Sequence, residues 1–549
     1  MAKARLKIIP LGGLGEIGRN MMALEYGEDI VVIDAGLMFP EEEMLGVDLV
    51  IPDITYLKEN HERVRAILIT HGHEDHVGAL PYILPQLDVP VYGSPLVHGL
   101  ISVKLREHRL LKNVRLNMVR PGDVLQIGCF RAEFFRVCHS IPDSFGIALH
   151  TPIGTVVHTG DFKLDHTPVD GKTMDLHRLA ELGDKGVLLL MSDSTYVERP
   201  GYTPSEQVVG QSLDRIMGDA KGRVVVASFA SLISRIQQVV DAAEKHGRRM
   251  FIMGRSMLDN AQMAIEMGYL TVPSGLGTPD ELKHLPPERI AVMTTGSQGE
   301  PTSALSRMAN RDHRFLEVIA GDTVVISASP IPGNVGLINR TIDALFQQGA
   351  NVLYQGIADV HVHGHGAQEE LKLMLRLVRP RFFVPVHGEY RHLVLHARLA
   401  HSLGIPEENT FVLQNGDVLE VTTYRAKKAG QVSSDYIYVD GLGDIGQVVL
   451  RDRQHLAQDG ILLVVVAVDK DTGKVIGEPD VISRGFVDVS VSEQLMTDIR
   501  TQVVNAIDHG KAHTTEWGYI NPKIKETVAK YVYKETRRRP MILPVAVEV

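Results

Sequence analysis

The sequence predicts an α/β protein: a sandwich of two β-sheets with helices outside, a parallel-sheet block inserted into it, and a small α+β tail. Three observations carry this reading. The first two hundred residues alternate short apolar strands with glycine turns. From about Thr203 strands alternate with helices, the pattern of βαβ units and a parallel sheet. Histidines of metal-ligand type stop before that block and resume at His361, which makes the block an insertion.

In chain order, Leu6–Leu11, Met21–Tyr26, Ile30–Ile33, Ala66–Thr70, Val89–Tyr92, Phe130–Val137, Gly146–His150 and Thr155–His158 read as strands. Helical spacing marks Leu80–Leu87 and Pro95–Leu111. The insertion opens with helix Ser205–Met217, then strand Arg223–Ser228, helix Ser234–His246 and strand Arg249–Met253, and runs to about Gly356. The expected divisions are residues 1–203 and 357–425 for the sandwich and 204–356 for the insertion. A linker is expected over 426–455, with Lys427, Lys428, Gly430, Ser433 and Ser434, and a tail over 456–549. The tail reads as strand Ile461–Val468, helix Val491–Ile507, a second helix near Ile524–Tyr533 and strand Met541–Val547. Pro544 lacks a ladder N–H and confines that last strand to a sheet edge. The two tail strands are expected to share one sheet. Gly13-Leu14-Gly15-Glu16-Ile17-Gly18 matches the dinucleotide fingerprint, but a strand, not a helix, follows at Met21.

A chain of 549 residues exceeds one core and suggests about three domains. The start, Met-Ala-Lys-Ala-Arg-Leu-Lys, lacks a signal-peptide apolar stretch, and no apolar run approaches the ~20 residues that cross a bilayer. Two cysteines, Cys129 and Cys138, argue against a disulfide scaffold and for a reducing cytoplasm without membrane association. Cys138, inside an apolar strand, reads as a small buried hydrophobe rather than a nucleophile. A formal charge of −10 argues against binding through a broad basic surface, though not against a local cationic channel. Basic clusters at Lys104–Arg115 and Arg537–Arg539 read as solvated faces.

The densest chemistry is His71-Gly72-His73-Glu74-Asp75-His76, at the end of an apolar strand. Imidazole and carboxylate are the groups that bind first-row divalent cations. His71 and His73 leave the same side of an extended segment, and Asp75 and His76 can turn to a second ion. Three further candidates also stand at strand ends: His139, Asp161 and His387. Together the seven make a dinuclear set, in which the Asp161 carboxylate would bridge two cations about 3.5–4 Å apart.

These motifs resemble the metallo-β-lactamase superfamily, whose His-x-His-x-Asp-His signature stands here as His71 to His76. The insertion resembles the β-CASP domain of its nucleic-acid-processing members. Over the whole chain the resemblance is to the bacterial ribonuclease J family, through Leu11–Gly18, His139–Ser144, Thr159–Lys163, Ser327–Asn334 and Pro385–Arg391. It implies a metallo-β-lactamase αββα sandwich with a β-CASP insertion and a C-terminal domain for dimer or tetramer formation. It assigns His71, His73 and His139 to one zinc, and Asp75, His76 and His387 to another, with Asp161 between them; manganese is an alternative. Asp34 would orient the ligand loop from behind, and Asp193 matches the acidic motif that opens the insertion. A structural hydrogen-bonding role suits both equally.

The segment His361-Val362-His363-Gly364-His365 matches the family's substrate loop, except that His363 stands where relatives usually carry serine. Ser228 and Ser231, with Leu232, Ile233 and Ser234, resemble the facing wall of a phosphate pocket, suited to hydroxyl and N–H donors at a helix start. Ordinary N-capping is the alternative for these serines. A structural cation, calcium by its oxygen ligands, is implied near Asp48 and Asp440, where Glu41–Glu43 add carboxylates.

The implied activity is hydrolysis of single-stranded RNA, 5′→3′ from a 5′-monophosphate end with additional internal cleavage, in messenger-RNA decay and ribosomal-RNA maturation alongside other degradation proteins. Asp75 or Asp161 would orient the attacking water, and His365 would protonate the leaving 3′ oxygen. Two rival readings stand beside it: a hydrolase of a small ester or lactam, and an inactive RNA-binding subunit. The long insertion ahead of His387 speaks against the first, and the complete ligand set against the second.

Overall fold

The structure is a computed structural model that describes residues 5–41, 43–300, 302–330, 334–441, 443–487, 492–508 and 517–549. Glu42 of the acidic loop, residues 331–333 of the Ser327–Asn334 motif and Val491 of the expected tail helix lie outside the described residues. Contacts divide the chain into two units, residues 1–39 with 49–437, and residues 40–48 with 438–549.

In the first unit an eight-stranded sheet runs in the order Ala426–Gln431, Asp417–Val421, Leu6–Gly12, Met21–Tyr26, Asp29–Ile33, Val64–Leu68, Val91–Gly93 and Leu116–Met118. A six-stranded sheet runs Phe382–Val386, Val187–Asp193, Gly154–His158, Phe145–Thr151, Phe130–Arg136 and Val124–Ile127. Alternation along the strands aims one face of each sheet at the other. Ile8, Leu24, Val31 and Leu68 of the first meet Phe134, Ile147, Met191 and Val384 of the second in a fully buried core. On the second sheet's other face Phe135, Val157, Leu190 and Phe383 pack with Leu179, Leu182, Leu371 and Leu375 of helices Leu176–Lys185 and Gln368–Val378. The expected sandwich is therefore present. The Gly13–Gly18 fingerprint opens no helix, since Met21–Tyr26 pairs antiparallel with both Leu6–Gly12 and Asp29–Ile33.

The insertion contains a five-stranded sheet, all parallel, in the order Arg249–Met253, Ile290–Thr294, Val224–Ala227, Thr323–Ile326 and Asn351–Tyr354. Val224 to Ala227 are buried without alternation, as a parallel strand covered on both faces requires. The sandwich strand that leads into the insertion, Val187–Asp193, pairs in parallel with Phe382–Val386, the strand that follows it. The chain thus leaves and re-enters the sandwich on adjacent strands.

In the second unit Ile461–Val468 pairs antiparallel with Asp480–Arg484 and parallel with Met541–Glu548. Pro544 sits on an edge strand, as expected. Helices Glu493–Asp508 and Trp517–Thr536 cover one face of this sheet through Ile499, Val503, Ile524 and Val528. The boundary between the two units falls within residues 426–455, but the stretch carries regular structure. Ala426–Gln431 is an edge strand paired with Asp417–Val421, Tyr436–Asp440 and Gly443–Ile445 form a hairpin, and helix Gln447–Asp459 begins inside the stretch. The edge strand is almost wholly exposed, so its lysines and glycine show no apolar alternation and read as a loop. Among the described residues no helix is long and apolar enough to cross a membrane.

One close approach fixes the sandwich to the motif loop. A Cβ on Gly36 would fall 1.6 Å from the Asp75 carbonyl oxygen. Gly36→Ala should cost roughly 1–3 kcal/mol by overpacking, read as a lowered denaturation midpoint without change in slope.

Candidate metal centre

Strand ends aim the candidate side chains at one point. Asp34 and His387 follow strands Asp29–Ile33 and Phe382–Val386, and both take the left-handed backbone region, with φ of 63° and 54°. Non-glycine residues adopt this region at a cost, and such positions concentrate at functional sites. Thr70 N–H and Oγ1–H donate to the Asp34 carboxylate at 2.8 Å each, and His76 Nδ1 lies 2.8 Å from Asp34 Oδ2. Asp34 therefore fixes the start of the motif loop and turns His76 Nε2 inward, in the manner of a carboxylate behind a metal-ligating imidazole.

Among the described residues, two of three groups of candidate ligand atoms form from His71, His73 and His139, and from Asp75, His76, Asp161 and His387, the atoms within each lying no more than 4.8 Å apart. His73 Nδ1 is 3.0 Å from His71 Nε2 and 3.1 Å from His139 Nε2. His139 Nδ1–H donates to the Gly364 carbonyl at 2.7 Å, which leaves its Nε2 lone pair facing the other two rings. Burial holds His71 and His139 well below the usual imidazole range, helped by His76 and His73 respectively, and brings His73 to about 4. All three are therefore neutral near pH 7, the form that binds metal.

Asp161 Oδ2 joins the groups. It lies 3.2 Å from His76 Nε2, 3.4 Å from His387 Nε2, 3.7 Å from His71 Nε2 and 3.9 Å from His139 Nε2. Burial opposes its charge, but His387 and His76 outweigh burial and keep the carboxyl well below its ordinary range. The reciprocal field of Asp161 lifts His76 and His387 against the lowering effect of burial. Neutral imidazoles beside a gathered negative field suit a pair of divalent cations of the zinc type.

His365 Nδ1 lies 2.8 Å from Asp193 Oδ2, and Asp193 Oδ1 accepts from Thr195 N–H at 2.9 Å. Burial alone would lower His365, but Asp193 raises it to about 9, so the ring is a proton donor facing the centre. The remaining loop residues divide by burial. Val362, Leu232 and Ile233 are buried, and Val362 and Ile233 belong to the insertion's apolar core. Ser228 is buried, and its hydroxyl donates to the Ser327 carbonyl at 3.3 Å. Helix Ile233–Lys245 is capped at Leu232 without a side-chain bond, so capping does not account for Ser228 or Ser231. Ser234 is half-buried in the first turn of that helix. Among the described residues, buried His361 Nδ1 has no hydrogen-bond partner.

Sequence reasoning missed Asn20. Its side-chain N–H donates to the Asp75 carbonyl at 3.1 Å and lies 3.1 Å from His76 Nε2. Glu16 braces the approach to it by accepting from Gly13 N–H at 3.1 Å and from Arg19 Nε at 3.0 Å. The glycine-rich run that carries part of the family resemblance thus leads into the centre. The expected calcium site fares differently. Asp48 Oδ2 accepts from Gly441 N–H at 2.7 Å, and Asp440 is paired with Arg453. Protein donors already hold both carboxylates, and neither belongs to a ligand cluster among the described residues.

Because Asp34 holds both ends of the ligand loop, Asp34→Ala should weaken metal binding about 10–100-fold. A competitive chelator titration of the loaded protein measures this.

Comparison with known proteins places these features in one family. The metallo-β-lactamase superfamily model matches residues 14–220, and the ribonuclease J β-CASP model residues 221–345. The Zn-dependent metallo-hydrolase RNA specificity model matches 349–412, and the ribonuclease J C-terminal model 448–549. The chain is 45% identical to ribonuclease J 1 of Streptococcus pyogenes, covering 98% of this chain and 96% of that one. It is 46% identical to ribonuclease J of Thermus thermophilus, with 99% and 95% covered, and 43% identical to ribonuclease J2 of Bacillus subtilis, with 99% of each covered. A crystal structure of a protein of unknown function from Enterococcus faecalis superposes with a TM-score of 0.55 over 76% of this chain and 100% of that one, at 17% identity, and so shares the fold. The chain belongs to the ribonuclease J family of the metallo-β-lactamase superfamily.

Proposed function

We propose that the protein is a two-metal ribonuclease that degrades single-stranded RNA from a 5′-monophosphate end and also cuts internally. The observation that carries this reading is the gathering of six imidazole and carboxylate groups around Asp161, beside a loop that returns from the β-CASP insertion. His71, His73 and His139 would hold one cation, and Asp75, His76 and His387 the other, with Asp161 shared. Zinc suits the imidazole majority, and manganese is the alternative. Bound divalent cations supply Lewis acidity and a nucleophile near neutral pH.

The chain's own residues supply the rest. Asp75 is partly exposed, unlike Asp161, and so can orient the attacking water from the open side. His365, held by Asp193, would donate its proton to the leaving 3′ oxygen. The segment from Ser228 to Ser234 offers hydroxyl and N–H donors to a terminal phosphate, and a fixed seat there would impose the 5′→3′ direction. We place the enzyme in the cytoplasm, in messenger-RNA decay and ribosomal-RNA maturation. We retain the division into a split metallo-β-lactamase domain, a β-CASP insertion over 204–356 and a C-terminal domain.

The deciding experiment digests one RNA prepared with a 5′-triphosphate, monophosphate or hydroxyl end and maps the products by length. Monophosphate RNA should be consumed fastest, releasing mononucleotides from the 5′ end with minor internal fragments. Equal rates for all three ends would remove the end preference. His76→Ala should abolish cleavage while leaving RNA retention in a filter-binding assay.

A homodimer or homotetramer is part of the proposal. The face of the C-terminal sheet opposite its helices exposes Ile482, Leu543, Val545 and Val547 by 38–45%, an apolar patch suited to a second copy. Val545→Asp should lower the particle mass in light scattering to that of the monomer.

A further inference from the structure

Tyr196 stacks on His365, with ring planes 4° apart and centroids 5.7 Å apart. Its hydroxyl forms a close hydrogen bond with His363 Nδ1. On the other edge of that ring, His363 Nε2 lies 3.2 Å from Gln355 Nε2. Gln355 Oε1 accepts from Ser329 Oγ–H at 2.7 Å, and the same Ser329 oxygen lies 3.5 Å from His363 Nδ1.

With the Gln355 amide turned so that Oε1 faces Ser329 and Nε2 faces His363, these contacts place each proton. An amide nitrogen only donates, so the His363 Nε2 that faces Gln355 must be the acceptor. A neutral imidazole carries one proton, which is then on Nδ1. Burial lowers His363 to about 4, so the ring is neutral near pH 7. Nδ1–H therefore donates, and Tyr196 Oη accepts. The Ser329 hydroxyl is also available to Nδ1–H as an acceptor, because its own proton is committed to Gln355. The relay leaves the phenolic proton of Tyr196 unused, and among the described residues the hydroxyl has no other partner. Burial pushes the phenol to about 12, so it keeps that proton near pH 7.

We propose that Tyr196 is an RNA-binding residue that donates its phenolic proton to a phosphate oxygen of the strand, and that His363 is the positioning residue that leaves this proton free. The ligand must be an acceptor next to the donor ring of His365, whose retained proton favours an anion. A phosphate adjoining the one at the metal centre meets these conditions. The serine–glutamine–histidine relay thus delivers one directed O–H donor, and His363 itself touches no phosphate. The inference rests on the ribonuclease reading above and assigns a contact within it.

Steady-state cleavage of labelled single-stranded RNA by the full-length, metal-loaded enzyme tests it. A hydrogen bond to a charged group is worth about 1.5–3 kcal/mol, or roughly tenfold and upward. Tyr196→Phe removes one oxygen and keeps the stack on His365, so KM should rise about tenfold with the loss concentrated in KM rather than kcat. A merely structural disturbance of His365 would instead depress kcat. His363→Ala should also raise KM, and the double variant should be no worse than Tyr196→Phe alone. His363→Asn, whose amide N–H can stand where Nδ1–H stood, should restore most of the His363→Ala loss. Wild-type KM in Tyr196→Phe, or losses that multiply in the double variant, would overturn the relay. A wild-type enzyme that leaves RNA intact would instead overturn the ribonuclease reading, so the two failures are distinguishable.

Discussion

A single buried carboxylate oxygen organises this molecule. Asp161 Oδ2 stands 3.2–3.9 Å from imidazole nitrogens of His76, His387, His71, His139 and His365. Those five rings come from four separate segments of the chain. An acceptor so placed in a dry interior is stable only where positive charge surrounds it. The surrounding strands must therefore end at the same level, on facing edges of the two sheets. The positive φ at Asp34 and His387 and the close approach at Gly36 are local costs of that alignment.

Much of this was legible in the sequence, for identifiable reasons. Apolar runs that stop at His or Asp announce strands whose ends carry chemistry, and His71, His139, Asp161 and His387 all follow such runs. The parallel insertion was legible because its strands are apolar throughout and spaced by helical segments. Pro544 marked its strand as an edge. Asn20 was not legible, because an asparagine after a glycine-rich turn carries no pattern that separates it from a loop residue. Tyr196 was equally silent: one aromatic among polar neighbours has no periodicity, and its place against His365 follows from strand Val187–Asp193, which escaped the strand assignment. The exposed edge strand at Ala426–Gln431 passed for a linker because pairing through backbone alone leaves no trace in side-chain polarity.

The groups around the centre differ in what they tolerate. Rings that meet through neutral nitrogens depend on hydrogen bonds behind them, such as His139 to the Gly364 carbonyl, to set the tautomer. His365 depends instead on a charged partner, Asp193, and keeps its proton for that reason. Neutral and protonated imidazoles thus stand side by side within one small volume. Burial favours the neutral form of every ring, and the carboxylate behind His365 reverses that preference.

The adjacency of Val187–Asp193 and Phe382–Val386 has a consequence for how the protein is made. The insertion is synthesised between these two partners, so the second strand cannot dock until the ribosome has passed through all of it. His387 then arrives last among the side chains that surround Asp161. A nascent chain that has already formed most of its sandwich still lacks this imidazole. Assembly of the centre is therefore timed by translation, and it closes only on a chain that already contains its β-CASP insertion.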